Sequence, residues 1–388
     1  MDNEKGKTSM NESLQNWLPA ELSFVIEKVK ENQKIFSTQV PGPASFNQVF
    51  LPEENRDWTA SFWVGMLLLA KEVSGSSDFD QTIAAQLASF KERLDKRIDL
   101  ETHDIGFLYI LSAAADYKVN HHEASRKMVI EAADLLMKRY SPKAGIIQAW
   151  GDLNDPEQQG RMIIDCLMNL PLLYMASQYT GDEKYAAAAY THGKQTQKYI
   201  VRANDTTFHT YYFDVNTGEA KYGRTQQGYS DDSCWARGQA WGIYGFTLSY
   251  LYTGDQSFLA TAKRVADYFI EHLPADHVAY WDLIFGEGST EERDSSASAI
   301  AACGLLELAR QLPLSDPKRA VYEEAAVTML TSLKDYYTTK ELPSSNGILL
   351  HGVYDKKSDK GVDECMIWGD YYYLEALTRL SIPWYRYW

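Results

Sequence analysis

Six segments of this chain are apolar almost all the way round, and each is parted from the next by a segment that is apolar on one face only. The first kind begins "DWTASFWVGMLLLA", "DIGFLYILSAAA", "IIDCLMNLPLLYMAS", "CWARGQAWGIYGFTLSYL", "SSASAIAACGLLELA" and "CMIWGDYYYLEAL". The second kind includes "FDQTIAAQLASFKERLDKRI" and "YEEAAVTMLTSLKDYY". A helix apolar on every side has to be enclosed, whereas one with a charged face belongs at the surface. The periodicity predicts helices near 14–33, 58–74, 79–98, 104–118, 121–140, 162–180, 182–200, 234–253, 255–273, 295–312, 316–337 and 364–380. The class is therefore all-α. Six enclosed helices alternating with six outer ones is the pattern of an (α/α)6 barrel, although a two-domain helical solenoid gives the same alternation. The best alternating strand is the short "FHTYYFD" around Tyr211.

An internal repeat supports the pairing. "YTGDEKYAAAA" from Tyr179 and "YTGDQSFLATA" from Tyr252 each end an inner helix and begin an outer one, with glycine for the left-handed turn and aspartate as the next N-cap. No Pro/Gly/Ser-rich linker divides the chain, so residues 1–388 read as a single barrel domain, with 1–13 as a flexible N-terminal segment. Inner helices of such a barrel run parallel and gather their N-termini at one mouth, where unpaired N–H groups and helix dipoles are locally positive. The longest non-helical stretches, 141–160 and 202–233, also precede inner helices, which places a ligand site at that end.

A net charge of −15 argues against nucleic acid or an anionic membrane as partner. The start of the chain, "MDNEKGKTSMNES", lacks the apolar core of a signal peptide, and "WVGMLLLA" is too short to span a bilayer, so the expected location is cytoplasmic. Cys166, Cys234, Cys303 and Cys365 are scattered and read as plain buried thiols, and the eight histidines show no ligand spacing. Neither a metal nor a cofactor is expected.

Asp165 is the residue that most needs a reason. It follows Met162, Ile163 and Ile164 and precedes Cys166, Leu167 and Met168, company in which an ionised carboxylate is costly. A purely structural buried hydrogen bond is one account; a carboxyl kept protonated for proton transfer is the other. Asp104 opens another inner helix, as an N-cap or as the second carboxyl of an acid/base pair. Pro171, inside the same apolar segment as Asp165, is expected to bend that helix. Trp58, Trp150, Trp235 and Trp241 could stack on sugar faces or simply fill the core. Arg237, on an apolar inner helix, needs a partner, either a protein carboxylate or a ligand carboxylate.

The motifs "NRDWTASFWVGML", "THDIGFLYILSA", "IQAWGDLND", "RMIIDCLMNLPLLYMAS", "DDSCWARGQAWGIYGF" and "ECMIWGDYYYLEAL" resemble, in order and spacing, those of the unsaturated glucuronyl hydrolases of glycoside hydrolase family 88. The resemblance runs from about Trp58 to Trp384. It implies an (α/α)6 barrel that removes a 4,5-unsaturated glucuronate from the non-reducing end of lyase-generated glycosaminoglycan oligosaccharides, of chondroitin, hyaluronan or heparin type. In the implied mechanism the residue matching Asp165 protonates C4 and activates water for attack at C5. The residue matching Asp104 holds ring hydroxyls and assists. The resemblance further implies binding roles for Trp58, Trp150, His209, Gln227, Arg237 and Trp241, with Arg237 toward the substrate carboxylate. Ser358 and Lys360, in "YDKKSDKGVDEC", match positions tied to sulfated substrates, while Asp355 and Asp359 in the same loop would repel sulfate. A monomer or homodimer is expected. The competing readings are an unsaturated rhamnogalacturonyl hydrolase acting on pectin fragments, a sugar epimerase or isomerase, and a non-catalytic sugar-binding barrel.

Overall fold

The structure, a computed structural model, describes the backbone of residues 2–388 and the side chains of residues 14–388. The expected flexible segment, 1–13, lies outside the fully described residues. Twelve helical rods follow one another. They are Asp2–Phe36 (α1), Ala60–Ser74 (α2), Asp80–Lys96 (α3), a rod from Ile105–Tyr109 (α4) through a π-helical turn to Ala115–Asn120 (α5), Glu123–Met137 (α6), Leu170–Thr180 (α7), Glu183–Gln195 (α8), Ala236–Thr253 (α9), Gln256–Glu271 (α10), Ser295–Gln311 (α11), Pro317–Tyr336 (α12) and Ile367–Ser381 (α13). The inner ring runs α2, α4/α5, α7, α9, α11, α13 and closes where α13 packs on α2, while α1, α3, α6, α8, α10 and α12 lie outside. This is the (α/α)6 barrel, and the ring closure excludes the open solenoid.

The division into inner and outer helices follows from what each buries. The first fourteen residues of α9 are all buried, and in α11 burial is continuous from Ser295 to Ala309. In α10 only the stripe Phe258, Leu259, Thr261, Ala262, Val265, Ala266 and Phe269 is covered. The repeat behaves as the sequence predicts. Gly181 and Gly254 take left-handed φ of 75° and 71°, and the carboxylates of Asp182 and Asp255 accept from the backbone N–H of Lys184 and Ser257. An aromatic column of Phe62, Phe107, Trp241, Tyr371, Tyr372 and Trp388 fills the barrel axis.

The segment containing Asp165 departs from the predicted single helix. Residues Arg161–Ile163 form a strand and Ile164–Met168 a 3-10 turn, and the α-helix begins only at Leu170. Pro171 therefore sits in the first turn of α7, where its missing N–H costs nothing, and it bends nothing. Short strands decorate the barrel ends. Val40–Pro41 (β1) pairs with Pro52–Glu53 (β2), and Tyr140–Ser141 (β3) with Ile146–Ile147 (β4). Arg161–Ile163 (β5), Thr210–Phe213 (β6) and Ala220–Arg224 (β7) form an antiparallel sheet, and Gly352–Asp355 (β8) pairs with Lys360–Glu364 (β9). The predicted strand around Tyr211 is β6, the centre of the three-stranded sheet.

Candidate active site

At the N-terminal mouth of the inner ring a cavity of about 360 Å³ is lined by Trp58, Trp150, Trp241, Asp104, Asp165 and Arg237, together with Gln226, Gln227, Trp235, Tyr354, Asp355 and Lys360. A larger groove, about 570 Å³, lies outside the ring between α3 and α6. It is walled mainly by Ile83, Ala84, Leu87, Ala88 and Met128, and its rim lysine Lys71 is already paired with Asp80 at 2.7 Å. The chemistry converges in the first.

Asp104 and Asp165 meet there because two turns approach unusually closely. A Cβ on Gly106 would lie 2.4 Å from the Cα of Asn169, so only glycine lets the start of α4 rest against the turn before α7. Asn169 then bridges them, its Oδ1 accepting from the Phe107 N–H at 2.6 Å. Asp104 occupies the cap position of α4, yet its side chain caps nothing. Its Oδ2 instead accepts from the Thr102 hydroxyl at 2.7 Å, which leaves Oδ1 without a hydrogen-bond partner. Asp165 Oδ1 is likewise buried and unpartnered.

Between them stands His103, which the sequence reading passed over although it belongs to the "THDIGF" motif. Its Nε2 lies 3.3 Å from Asp104 Oδ1 and 3.5 Å from Asp165 Oδ1, and one ligating atom from each of the three residues falls within 4.8 Å of the others. Burial drives the imidazole pKa down to about 3, so the ring is neutral. Burial also pushes Asp104 up to about 6, against the hydrogen bond from Thr102. For Asp165 burial and then the charge of Asp104 raise the pKa well above the carboxylate range, with Arg237 opposing. Two carboxyls this close titrate as a pair and hold a proton between them near neutral pH. The neutral imidazole and one oxygen of each carboxyl could together ligate a cation, which would displace the shared proton.

The remaining predicted residues divide into those at the cavity and those behind it. Trp58 and Trp150 form walls; the Trp58 indole N–H donates to Tyr354 Oη at 2.9 Å, and Trp150 stands edge-on to His103. Trp241 is the floor, packed on Phe107 and Tyr372. Gln227 is tied to the Tyr354 carbonyl at 2.9 Å. His209 is buried behind the wall and has its tautomer set. The backbone N–H groups of Gln226 and Gln227 both donate to Nδ1, at 3.0 and 3.1 Å, which places the proton on Nε2; burial lowers its pKa to about 3. Trp235, a candidate for sugar stacking, also lines the cavity, whereas Tyr354 and Gln226 carried no signal in the sequence beyond being aromatic or polar near the loops.

Arg237 has found a protein partner. Its Nη1 lies 2.8 Å from Asp294 Oδ2, both side chains almost wholly buried, and further bonds go to the carbonyls of Val353 and Tyr354. The guanidinium also stacks on Trp235 and Trp368. Of the two partners that the sequence left open, the protein carboxylate is in contact, and because Arg237 also lines the cavity the two are not exclusive. Lys360 reaches the cavity with its ammonium 4.0 Å from the Tyr354 ring centroid, but Ser358 does not reach it. The reason is register: Asp355 pairs with Lys360 at the base of the β8–β9 turn, which leaves Ser358 exposed at the tip.

Comparison with known proteins agrees with this geometry. The family model for Glycosyl Hydrolase Family 88 matches residues 28–307. The unsaturated chondroitin disaccharide hydrolase of Streptococcus pneumoniae is 47% identical over 364 residues, 94% of this chain and 92% of its own, and the unsaturated glucuronyl hydrolase of Bacillus sp. is 46% identical, covering 92% and 95%. The crystal structure of unsaturated glucuronyl hydrolase from Bacillus sp. GL1 superposes with a TM-score of 0.91 at 45% identity, covering 94% of this chain and 97% of that one. A mutant of the Streptococcus agalactiae enzyme complexed with dGlcA-GalNAc6S superposes with a TM-score of 0.86 at 42% identity, covering 96% and 93%. With the barrel, the paired aspartates and these matches in agreement, the chain belongs to glycoside hydrolase family 88 and is a glycosidase.

Proposed function

We propose that the protein removes the 4,5-unsaturated glucuronate from the non-reducing end of lyase-generated glycosaminoglycan oligosaccharides by hydrating the double bond. The observation that carries this reading is the pair of proton-holding carboxyls, Asp104 and Asp165, each with one buried oxygen that lacks a hydrogen-bond partner, in an aromatic-walled cavity. The names of the relatives, chondroitin disaccharide and glucuronyl hydrolases, support it over pectin fragments.

In the proposed reaction Asp165 gives its proton to C4 of the vinyl ether, and positive charge develops at C5, shared with the ring oxygen. The Asp165 carboxylate then takes a proton from water as the water oxygen bonds to C5. With Asp165 reprotonated by that water, the hemiketal opens by breaking the bond between C5 and the ring oxygen, and the hemiacetal left at C1 releases the remaining sugar, with water the one co-substrate. Asp104 and the neutral His103 hold hydroxyls and steady the carboxyl pair, while Trp58 and Trp150 clasp the ring faces. Arg237, held by Asp294, contributes positive field and fixes the strand carrying Tyr354. Binding roles for His209, Gln227, Trp241 and Lys360 belong to the same reading. A cytoplasmic location is also part of it, supported by four unbridged thiols; no helix among the described residues is long and apolar enough to cross a membrane.

Loss of the ultraviolet absorbance of the unsaturated uronate, followed across chondroitin, hyaluronan, heparin and pectin fragments with and without sulfate, tests the proposal. Turnover of glycosaminoglycan disaccharides above pectin fragments is expected; no turnover of any glycosaminoglycan disaccharide overturns it.

A further inference from the structure

A second cavity, about 490 Å³ and mainly polar, lies against the first and shares Gln226 with it. Its walls come from the three-stranded sheet: Arg161 on β5, Tyr212 on β6, and Lys221, Tyr222 and Arg224 on β7. Trp150 lies at the boundary. Its ring lines the catalytic cavity, and the Arg161 guanidinium carbon sits 4.9 Å from its centroid.

Arg161 is 8% exposed, and its hydrogen bonds go only to neutral groups. Nε donates to Tyr212 Oη at 2.9 Å and Nη1 to Gln158 Oε1 at 2.6 Å. Among the described residues it makes no ion pair, and neither does Arg224. A buried guanidinium without a counter-charge is costly, so the cost is expected to be met by an anion that binds there. Lys221 has only Asp214, at 3.5 Å, and Glu157 is the one carboxylate lining the cavity. Three cations against one carboxylate stand out in a chain of net charge −15. Tyr222 stacks on Tyr212 with ring centroids 5.0 Å apart, yet remains 51% exposed, an aromatic face open to a sugar ring.

We infer that this cavity is an accessory subsite for an anionic sugar, binding a carboxylate or sulfate borne farther along the oligosaccharide whose terminal ring lies between Asp104 and Asp165. The inference rests on the proposed function, because it needs that ring to be seated in the first cavity. Alternation of uronates along a glycosaminoglycan puts a carboxylate on the third sugar, so a tetrasaccharide carries an internal carboxylate for the subsite and an unsulfated disaccharide carries none.

Steady-state kinetics on an unsaturated disaccharide and the matching unsulfated tetrasaccharide test it. The wild-type protein is expected to show a KM about tenfold lower for the tetrasaccharide, the effect of one charge-assisted contact. Arg224→Ala, and Arg224→Ala with Lys221→Ala, are expected to erase that advantage while leaving disaccharide kinetics unchanged. Reduction of the internal uronate to its alcohol identifies the carboxylate if it removes the advantage. An advantage seen only with a sulfated tetrasaccharide, and lost in the variants, identifies sulfate. Equal KM values for the disaccharide and every tetrasaccharide in the wild type overturn the subsite, as does an equal loss on both lengths in the variants. Failure of the wild type to turn over the disaccharide overturns the proposed function instead.

Discussion

Asp165 holds a proton because burial and Asp104 make the second negative charge expensive, and that has two consequences for a single variant. Asp165→Asn keeps the shape but cannot protonate C4, so kcat is expected to fall by about three orders of magnitude, the middle of the range for a lost acid/base group. The same variant is expected to be more stable than wild type at alkaline pH. Both carboxyl pKa values are raised in the folded state, so the site begins to cost stability as pH rises above 3.8, the unfolded value, and the cost grows until the folded value is passed, about 6 for Asp104 and higher for Asp165. Thermal unfolding at pH 5 and pH 8 checks the sign: the gain in Tm is expected to be larger at pH 8, and a larger gain at pH 5 refutes the proton-holding account. Arg237 is bound differently, its donors engaged by Asp294 and by two carbonyls of β8. Arg237→Ala leaves Asp294 buried and unpaired, at a cost of about 3–5 kcal/mol. It is also expected to raise KM for charged and uncharged substrate analogues alike. A loss confined to the carboxylated substrate would return Arg237 to direct contact with the ligand.

Between residues and barrel lies the packing of one turn against another, and here Gly106 controls the geometry. Gly106→Ala drives a methyl into the backbone of Asn169 and forces α4 away from the turn that carries Asp165. The expected outcome is a kcat loss of at least about a hundredfold, since small misplacements of reacting groups carry that cost, with circular dichroism still helical. Wild-type turnover would show that the close approach is dispensable. The sequence conveyed the inner and outer helices well, because a helix buried all round and one buried on a stripe differ in composition residue by residue; α9 and α10 are the plainest pair. It conveyed the helix boundaries at Asp182 and Asp255 because glycine and aspartate each have one local job there. It failed at residues 161–169, where apolar residues fit a buried strand, a 3-10 turn and a helix equally, and only pairing of β5 with β6 selects the strand. Ser358 and Lys360 looked equivalent in the loop, and only the hairpin register separates them. His103 and Gly106 were both inside the "THDIGF" motif, but their roles depend on what the turn before α7 brings against them.

For the whole barrel, the catalytic mouth is one end of a column whose other end is closed by a buried charge cluster. Arg379, near the end of α13, meets Glu375 at 3.0 Å and Glu307 at 2.6 Å, all three side chains almost wholly buried, and its Nη2 donates to Tyr244 Oη. Glu375 also accepts from Tyr371 and from the Trp388 indole, and Trp388 stacks on Tyr372 and touches Phe107, three residues along from Asp104. Removing the arginine strands two carboxylates in the interior, so Arg379→Ala is expected to cost about 3–5 kcal/mol at pH 7 in urea unfolding. The loss should depend on pH in a defined direction. Burial by itself would raise the pKa of Glu307, but Arg379 outweighs it and the net shift is downward. A carboxyl with a depressed folded pKa contributes stability above its unfolded value, 4.5, and loses it as pH falls through the folded value. In Arg379→Ala that contribution is absent at every pH. The stability gap between variant and wild type is therefore expected to be widest near neutrality and to narrow as pH drops below 4.5. A gap that stays constant from pH 7 to pH 4 would mean that Arg379 stabilises the closed end by packing against Tyr244 and Trp384, at 5.5 and 4.9 Å from their ring centroids, and not through its charge.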